Sequence, residues 1–311
     1  MKKNPGTFLA VLVMTSGWLV MASNNPRVVF YQDFERGHDP VQLWRTSSSQ
    51  YRVDFKGLTR EKSFSGKGSF KLQVTVKEGS YTYWWLPVKI FPGASLRYSA
   101  KLLVAEPTNG RVRLVPGYGI IPDFPAWDGL NNLAPAFGPT GGQWKLVEGD
   151  ILAMGRELLR SKLPVLAWGV TEENMGWYLN GLCLYLEMPE KGDGRFVLYL
   201  DEIKIEGESV PVEKYLAEVE KKWEPARARI KEQINAWEKR LSDLEKVLAG
   251  LGDLKGDEAV QDIREKLPHV RRRIITAESC GFIPPAQVGE MEGYFREIQQ
   301  VIARTKKARG L

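Results

Sequence analysis

The hydrophobic pattern of the chain changes its period near residue 210. Between residues 27 and 207 apolar and polar positions alternate, whereas beyond residue 211 apolar positions recur every three or four residues. Alternation is typical of strands with one buried face, and the longer period is typical of amphipathic helices. The sequence therefore predicts a β-domain of residues 24–210 and an α-helical, coiled-coil-like domain of residues 211–311.

The first part of the chain predicts about nine or ten strands without long helices between them. Turn signals separate the alternating segments, at residues 65–68, 92–93, 108–110 and 191–194. Many short strands between turns are typical of an antiparallel sandwich or jelly roll. We expect an all-β jelly-roll sandwich, with a long irregular loop over residues 122–142 and a short helix over residues 152–159.

The second part predicts an antiparallel helical hairpin or a three-helix bundle. The first helix has a heptad-like apolar run: Ile230, Ile234, Trp237, Leu241, Leu244, Leu248 and Leu251. Two shorter stripes follow: Val260, Ile263, Leu267, Val270 and Ile274, then Val288, Met291, Phe295, Ile298 and Ile302. Pro225 and Pro268 fall inside helical runs and are expected to kink or split them. The stripes serve either packing among the tail's own helices or self-association.

The N-terminus has the pattern of a secretory signal peptide. Lys2 and Lys3 precede an apolar run over residues 8–20, and small residues follow it. A helix that spans a bilayer needs about 20 apolar residues, and this run is shorter. We therefore expect a signal peptide that is cleaved, rather than an anchor that remains. We expect residues 1–23 to be removed, leaving no membrane span. The mature protein would then be secreted, periplasmic or located at the cell envelope.

Charge and cysteine content disfavour nucleic-acid binding and zinc sites. The chain has 44 Lys and Arg against 38 Asp and Glu, and two of the lysines lie in the signal segment. The rest of the charge is nearly balanced, without the basic stripe that tracks phosphates. Two His and two Cys have none of the spacings typical of zinc sites. Cys183 and Cys280, in different predicted domains, either stay free or pair.

One predicted strand, YTYWWLPVKI, concentrates aromatic side chains. If its last apolar residues face the core, alternation places Trp84 in the core as well. Tyr81, Tyr83 and Trp85 then lie on the outer face. Exposed rings in a row can stack on the C–H face of a sugar or contact another protein. The alternative is a bulge at Pro87 that resets the register, or a loop or tail that covers the rings.

The same alternation adds candidate ligand contacts on other predicted strands. It places Trp177 and Tyr185 outward if the leucines near them form the core. Arg97 and Arg113 also face outward by this test, and their guanidinium groups can donate hydrogen bonds beside the rings. The predicted ligand-binding residues are Tyr81, Tyr83, Trp85, Trp177, Tyr185, Arg97 and Arg113.

Five segments in order resemble carbohydrate-binding modules of the galactose-binding-like jelly-roll superfamily. They are VVFYQDFERG at 28–37, followed by Trp44, SFSGKGSFKL at 63–72, FPGASLRYSAKL at 91–102, GGQWKLVEGD at 141–150 and FVLYLDEIKI at 196–205. The resemblance covers about residues 28–207 and leaves the helical tail unrecognised. It implies a jelly-roll sandwich with a polysaccharide or glycan ligand. It does not specify the contact residues, because sugar-contacting aromatics vary in position within this superfamily.

The resemblance also implies a structural Ca²⁺ ion, which many such modules hold where the first and last strands meet. On this sequence, Glu35 matches the early carboxylate, the loop around Lys67 the backbone-carbonyl donor, and Asp201 the late carboxylate. Asp33 can add a further ligand. Several hard oxygens from both ends of a chain suit Ca²⁺. The alternative is that Glu35 and Asp201 are surface carboxylates or accept hydrogen bonds from turns.

Catalytic motifs are weak in this sequence. The carboxylate-rich segment DEIKIEGE at 201–208 lacks the Glu-x-Asp-x-x-Glu arrangement of laminarinase-like jelly rolls, and no Gly-x-Ser-x-Gly occurs. The sequence favours an exported, non-catalytic carbohydrate-binding protein whose helical tail is a spacer or binds a partner protein or a second copy. The alternatives are a structural or protein-docking envelope component without a glycan ligand, and a jelly-roll glycoside hydrolase or lyase.

Overall fold

The computed structural model of the protein describes most of the chain after residue 26. The described residues are 27–35, 37, 39–46, 51–106, 110–121, 134–166, 168–171, 173–189, 191–250, 258–308 and 310. The predicted signal segment, the first part of the predicted loop over 122–142, and Leu251 lie outside these residues. The signal peptide therefore stays a prediction.

Within the described residues, ten strands form two antiparallel sheets. The strands are β1 Val28–Gln32, β2 Gln42–Thr46, β3 Tyr51–Thr59, β4 Ser69–Val76, β5 Tyr81–Ile90, β6 Pro92–Glu106, β7 Arg111–Ile121, β8 Lys145–Asp150, β9 Gly176–Glu187 and β10 Gly194–Ser209. One sheet has six strands in the order β3-β4-β10-β6-β8, with β1 paired to β10, and the other has the order β2-β5-β9-β7. The predicted β-sandwich is confirmed.

Alternation along the central strands builds the core of the sandwich. Strands β4 and β10 pair so that Leu72 opposes Leu198 and Phe70 opposes Leu200. The apolar residues of these two strands that face the core are buried: Phe70, Leu72, Val74, Val76, Phe196, Leu198 and Leu200. Each such side chain stabilises the fold by about 1.5–3 kcal/mol relative to an exposed position. The core thus depends on the same period of two that the sequence displays.

In the described part of the chain, four helices follow or interrupt the strands: α1 Ile151–Leu166, α2 Val212–Gly250, α3 Glu258–Cys280 and α4 Pro285–Ala308. Helix α1 begins after Asp150, whose Oδ1 accepts a hydrogen bond from the Ala153 amide at 2.9 Å. A side-chain oxygen at this position satisfies an amide that has no partner within the helix. The predicted short helix is confirmed and extends further than expected. None of the described helices is both long and apolar enough to cross a bilayer.

The described chain divides into two compact units. Of the described residues, the first unit takes those up to 119 with 134–155 and 177–212, and the second takes those at 120–121, 156–176 and 213–310. Within the second unit, the Trp168 amide donates to the Ile283 carbonyl at 2.8 Å. The segment that follows α1 is therefore bonded to the connection between α3 and α4.

The apolar stripes of the helical tail are buried. All described members of the heptad-like run on α2 are buried, together with most of the stripes on α3 and α4. Ion pairs connect all three helices, and the pair of Arg240 on α2 with Glu292 on α4 is 2.7 Å long. Glu245 on α2 pairs with Arg271 on α3 at 2.6 Å. Packing within the chain therefore accounts for these stripes.

Two proline predictions for the tail are wrong in part. Pro225 and Pro268 lie inside the continuous helices α2 and α3 and split neither of them. Both prolines are exposed, whereas Trp223 and Ala226 on either side of Pro225 are buried. A helix-interior proline costs about 3 kcal/mol, and burial of the apolar face on both sides of it can offset that cost.

The two cysteines are free thiols. Cys183 is buried on β9, and Cys280 is exposed at the end of α3. Burial raises the pKa of the Cys183 thiol well above its ordinary value, so this thiol is unreactive at neutral pH.

Candidate functional site

The aromatic strand β5 has two different faces, as the sequence predicts. Its even-numbered residues from Thr82 to Ile90 are buried, and its odd-numbered residues are half-buried or exposed. Tyr81, Tyr83 and Trp85 therefore share the face that points away from the core. The predicted orientation of these three rings is confirmed, and each keeps part of its surface accessible.

Three tyrosines from two neighbouring strands form a cluster on this face. Strands β5 and β9 pair so that Tyr83 opposes Tyr185, and their ring centroids lie 4.7 Å apart. The Tyr81 ring is 5.4 Å from Tyr83 and 5.9 Å from Tyr185. These separations are typical of stabilising aromatic pairs. Tyr185, predicted to be exposed, is only 4% exposed, with the Tyr81 and Tyr83 rings against it.

A charged pair borders the tyrosine cluster. Arg113 on β7 donates from Nη1 to Oε2 of Glu187 on β9 at 3.2 Å, and its guanidinium carbon is 5.8 Å from the Tyr185 ring centroid. Glu187 opposes Tyr81 in the β5–β9 register. The Arg113 Nε–H is buried and has no hydrogen-bond acceptor among the described residues. Buried donors are normally satisfied, so this N–H is free to donate a hydrogen bond to an oxygen atom.

Burial and charge act together on Tyr185. Burial, followed by the neighbouring Glu187 carboxylate, raises the pKa of the Tyr185 phenol to about 12, although Arg113 opposes the shift. The phenol is therefore neutral at physiological pH. The cluster then presents neutral rings next to a charge pair whose charges compensate each other.

Trp85 is a packed ring that contributes to the fold. A Cβ atom on Gly117 of β7 would lie 2.4 Å from the Trp85 ring, and one on Gly181 of β9 would lie 2.6 Å from it. The ring therefore covers two glycines directly. It also packs against a buried cluster that includes Ala134 and borders Met154. Ala134 belongs to the predicted long loop. For Trp85, the alternative that a loop packs against the ring is therefore the one observed.

Trp177 does not join this face, and its predicted exposure is wrong. The ring is buried and meets Tyr118 edge to face with centroids 5.1 Å apart. Pro87 and Ile90, three residues apart on β5, pair with residues only two apart on β9. This bulge reverses the alternation on the part of β9 that carries Trp177. A bulge at Pro87 is therefore present, but it changes the face of Trp177 and leaves Tyr81, Tyr83 and Trp85 on the outer face.

Arg97 lies on the other sheet. It is exposed on β6, opposite Asp150 of β8 and Glu206 of β10. The structure therefore separates Arg97 from the tyrosine cluster, whereas it brings Arg113 to it. Alternation decides which face of a strand a residue occupies, but it does not decide which sheet the strand joins.

Asp201 is fully buried, and its carboxylate is bonded to the loop between β3 and β4. Its Oδ2 accepts hydrogen bonds from the amides of Phe64 at 2.8 Å and Ser65 at 3.3 Å, and its Oδ1 accepts one from the Glu202 amide at 2.8 Å. Burial raises the pKa of the Asp201 carboxyl, while these backbone bonds oppose the shift.

Glu35 makes a matching contact at the other end of the same loop. Its Oε1 accepts hydrogen bonds from the amides of Lys67 and Gly68, both at 2.7 Å. The loop thus presents N–H groups to both carboxylates, and an N–H group repels a cation. Within the described residues, no three His, Cys, Asp or Glu side chains are placed to hold a metal ion. The backbone hydrogen bonds occupy one oxygen of Glu35 and both oxygens of Asp201, and calcium binding by Glu35, the loop around Lys67 and Asp201 stays a prediction.

The carboxylate-rich end of β10 has structural partners. Glu206 pairs with Lys204 at 2.5 Å, and Glu208 accepts a hydrogen bond from the Ala94 amide at 3.0 Å. With Asp201 bound to backbone amides, these carboxylates stabilise the six-stranded sheet and its loops.

Three residues of the site were absent from the predicted set. Glu187 lies two positions beyond Tyr185 on the same strand face, so alternation indicates it. Gly117 and Gly181 lie inside strands, where glycine often marks the close approach of another group. Here that group is the Trp85 ring.

Comparison with known proteins gives only distant likenesses. No protein-family model and no curated protein sequence matches the chain. Among solved structures, the CBM22-1 xylan-binding domain of Paenibacillus barcinonensis Xyn10C is 16% identical over 60% of this chain and 97% of that domain, with a TM-score of 0.34.

Two further structures show the same degree of likeness. A family 11 carbohydrate-binding module from Clostridium thermocellum, in complex with a β-1,3-1,4-mixed-linked tetrasaccharide, is 13% identical over 58% of this chain and 96% of the module, with a TM-score of 0.36. A β-1,2-glucanase from Parabacteroides distasonis is 14% identical over 60% of this chain and 26% of that enzyme, with a TM-score of 0.34. At these identities and TM-scores, the likenesses assign neither a ligand nor an activity to this chain.

Proposed function

We propose that the protein is an exported, non-catalytic carbohydrate-binding protein that stacks sugar rings on Tyr81 and Tyr83. The observation that supports this proposal is the tyrosine cluster beside the Arg113–Glu187 pair on one sheet face. Phenol rings offer a flat apolar surface to the C–H face of a sugar. The charged pair offers donors and acceptors to its hydroxyl groups. Export rests on the N-terminal segment alone.

The site residues divide into ligand contacts and supports. Tyr81 and Tyr83 keep accessible ring surface, and the side chains of Arg113 and Glu187 are 12% and 28% exposed. Tyr185 contacts both rings, and Trp85 packs with Tyr83 against the same buried cluster, so both residues support the ligand contacts. Because the charges of Arg113 and Glu187 compensate each other, we expect a neutral glycan at this face.

Retention on polysaccharides tests this proposal. The mature chain, residues 24–311, is applied to a glycan array and to insoluble neutral polysaccharides, alongside Tyr83→Ala and Tyr31→Ala. Tyr31 is the matched control, because it is 49% exposed on β1 of the other sheet. We expect retention on one class of neutral glycan, loss of at least about tenfold in affinity for Tyr83→Ala, and unchanged affinity for Tyr31→Ala.

The same experiment separates the alternatives. A folded protein that is retained on no glycan would be a structural or protein-docking component instead. Equal weakening by Tyr31→Ala would place binding elsewhere. Release of reducing ends from a retained polysaccharide would contradict the non-catalytic part of the proposal.

A further inference from the structure

A second group of accessible apolar side chains lies on the six-stranded sheet. Phe64 is 43% exposed, Leu146 is 52% exposed and Trp144 is half-buried. The Phe64 and Trp144 rings meet edge to face with centroids 6.1 Å apart. The Lys101 ammonium lies 4.3 Å from the centroid of the Phe64 ring. Phe64, Lys101, Trp144 and Leu146 are called the lysine–aromatic patch below.

The sheet and its loops hold the patch in place. Leu146 on β8 opposes Lys101 on β6 in the strand register. Trp144 packs against a buried cluster of Leu103, Val197 and Tyr199. The Phe64 amide is bonded to buried Asp201, which fixes the loop that presents the ring. A binding surface fixed before the ligand arrives loses less entropy on binding.

Charge decides which ligand fits the patch. Among the described residues, Lys101 forms no ion pair with a carboxylate, and the Phe64 ring is its cation–π partner. Lys71 on the same sheet differs, because its ammonium is paired to Glu61 at 2.6 Å. A cation–π contact at an exposed site is weak, so the Lys101 ammonium can still donate a charge-assisted hydrogen bond to a carboxylate.

We propose that the lysine–aromatic patch is a second ligand site, for a hexuronate residue of an acidic polysaccharide. The sugar carboxylate pairs with Lys101, and the C–H face of the ring packs on the accessible surface of Phe64 and Leu146. Within the patch Lys101 is the cation, and it matches a polymer with one carboxylate on each sugar. Lys62 and Lys71 lie over the neighbouring Tyr199 ring, and Lys71 is paired to Glu61. This site is independent of the proposed function, because it lies on the other sheet and takes a charged sugar.

Calorimetry on the mature full chain tests the site. The probes are tetramers of galacturonate, glucuronate and mannuronate, each compared with its methyl ester, which keeps the ring and removes the charge. We expect one acid to bind at least about tenfold more tightly than its ester, and high salt to weaken the binding. Lys101→Gln should weaken binding of the acid to a similar extent, whereas Lys101→Arg should retain most of it. Phe64→Ala should weaken both the acid and the ester.

Controls separate the two sites. Tyr83→Ala should leave uronate binding unchanged, and Lys101→Gln should leave retention on neutral glycans unchanged. Equal affinity for acid and ester, an unaffected Lys101→Gln variant, or no binding of any uronate by the folded chain would overturn the inference. Loss of uronate binding in Tyr83→Ala would also overturn it, because both ligands would then share one face.

Discussion

Trp85 and Tyr81 point to the same side of β5, yet their surroundings give them different roles. The Trp85 ring covers Gly117 and Gly181, so its removal leaves a cavity next to buried side chains. Trp85→Ala should lower the free energy of unfolding by about 2–4 kcal/mol, because cavity formation adds to the lost apolar transfer. Tyr81→Ala should cost less, about 1 kcal/mol, because the half-buried Tyr81 ring contacts the Tyr83 and Tyr185 rings and covers neither glycine. Urea unfolding of both variants measures the difference, and equal costs would contradict the packed role of Trp85.

The Tyr185 phenol should make stability fall at high pH. Burial, followed by the Glu187 carboxylate, raises the pKa of this phenol to about 12 in the folded chain. In an unfolded chain the pKa of a tyrosine is about 10. A raised folded pKa contributes stability that is fully present below about pH 10 and is lost as the pH rises toward about 12. The melting temperature between about pH 8 and 11.5 should therefore decline less steeply in Tyr185→Phe than in the native chain. Tyr294→Phe, which removes a phenol from α4, serves as the control, and identical profiles for native chain and Tyr185→Phe would contradict this account.

The sequence predicts the orientation of single side chains well wherever the alternation of apolar and polar residues is unbroken. Tyr81, Tyr83 and Trp85 follow the period of two, so their outward orientation could be deduced without coordinates. Trp177 could not be placed the same way, because the bulge between Pro87 and Ile90 changes the register by one residue. The burial of Tyr185 depends on side chains of a neighbouring strand. A local sequence pattern does not specify which strands are neighbours in a sheet.

Among the elements, the loop between β3 and β4 shows how carboxylates position a backbone. Gly66 has a φ of 60°, and a Cβ there would lie 2.3 Å from Oε1 of Glu35. Gly79 has a similar φ of 67°, but a Cβ there would have no atom within 4 Å. Gly66→Ala should therefore cost roughly 1–3 kcal/mol more than Gly79→Ala, because the bonds from the Lys67 and Gly68 amides to Glu35 are lost as well.

Hydrogen exchange and thermal unfolding measure this difference. In Gly66→Ala the Lys67 and Gly68 amides should exchange faster, and in Gly79→Ala they should keep their protection. Equal destabilisation of the two variants would show that the Glu35 contact contributes little.

Removal of calcium tests whether a metal ion contributes to the stability of the same loop. Glu35 and Asp201 already accept five backbone hydrogen bonds from Phe64, Ser65, Lys67, Gly68 and Glu202. The loop therefore has its own anchors, and we expect the melting temperature to be the same with a chelator and with added Ca²⁺. A clear rise with Ca²⁺ would instead support the calcium site that the resemblance implies, since a ligand that binds the folded state stabilises it.

Elements were more predictable than their contacts. The change of period near residue 210 correctly separates the last β-strand from helix α2, and Pro285 correctly begins α4. Alternation and heptad spacing are local, so one sequence is enough to read them. The pairing of Asp201 with an amide 137 residues earlier is not local, and no spacing in the sequence indicates it.

For the molecule as a whole, the two sheets present different chemistry. The four-stranded sheet presents tyrosines beside a compensated charge pair, and the six-stranded sheet presents Phe64 beneath the Lys101 ammonium. The nearly balanced net charge of the sequence therefore does not indicate the local positive charge of Lys101, which depends on how the chain folds. Composition alone predicts that nucleic acid is a poor partner, but it cannot show that one lysine lies over a ring.

The helical unit provides a whole-molecule prediction about self-association. Ile274 and Ile275 are neighbours on α3, but Ile274 is 3% exposed and Ile275 is 53% exposed. Ile274→Asp buries a charge without a partner and should unfold the helical unit or destabilise it by more than about 3 kcal/mol. Ile275→Asp should change stability by less than about 0.5 kcal/mol, because the side chain already meets water.

Sedimentation of the same two variants decides between packing and assembly. The stripes on α2, α3 and α4 are buried in the single chain, so the native protein should keep one mass between about 1 and 100 µM, a range in which a weak dimer would form and dissociate. If the native chain instead dimerises and Ile275→Asp abolishes the dimer without loss of stability, the exposed face of α3 is an interface between copies. If mass and stability follow the prediction, the heptad spacing of α2 reflects packing inside one chain, and any partner of the tail must bind a surface other than these stripes.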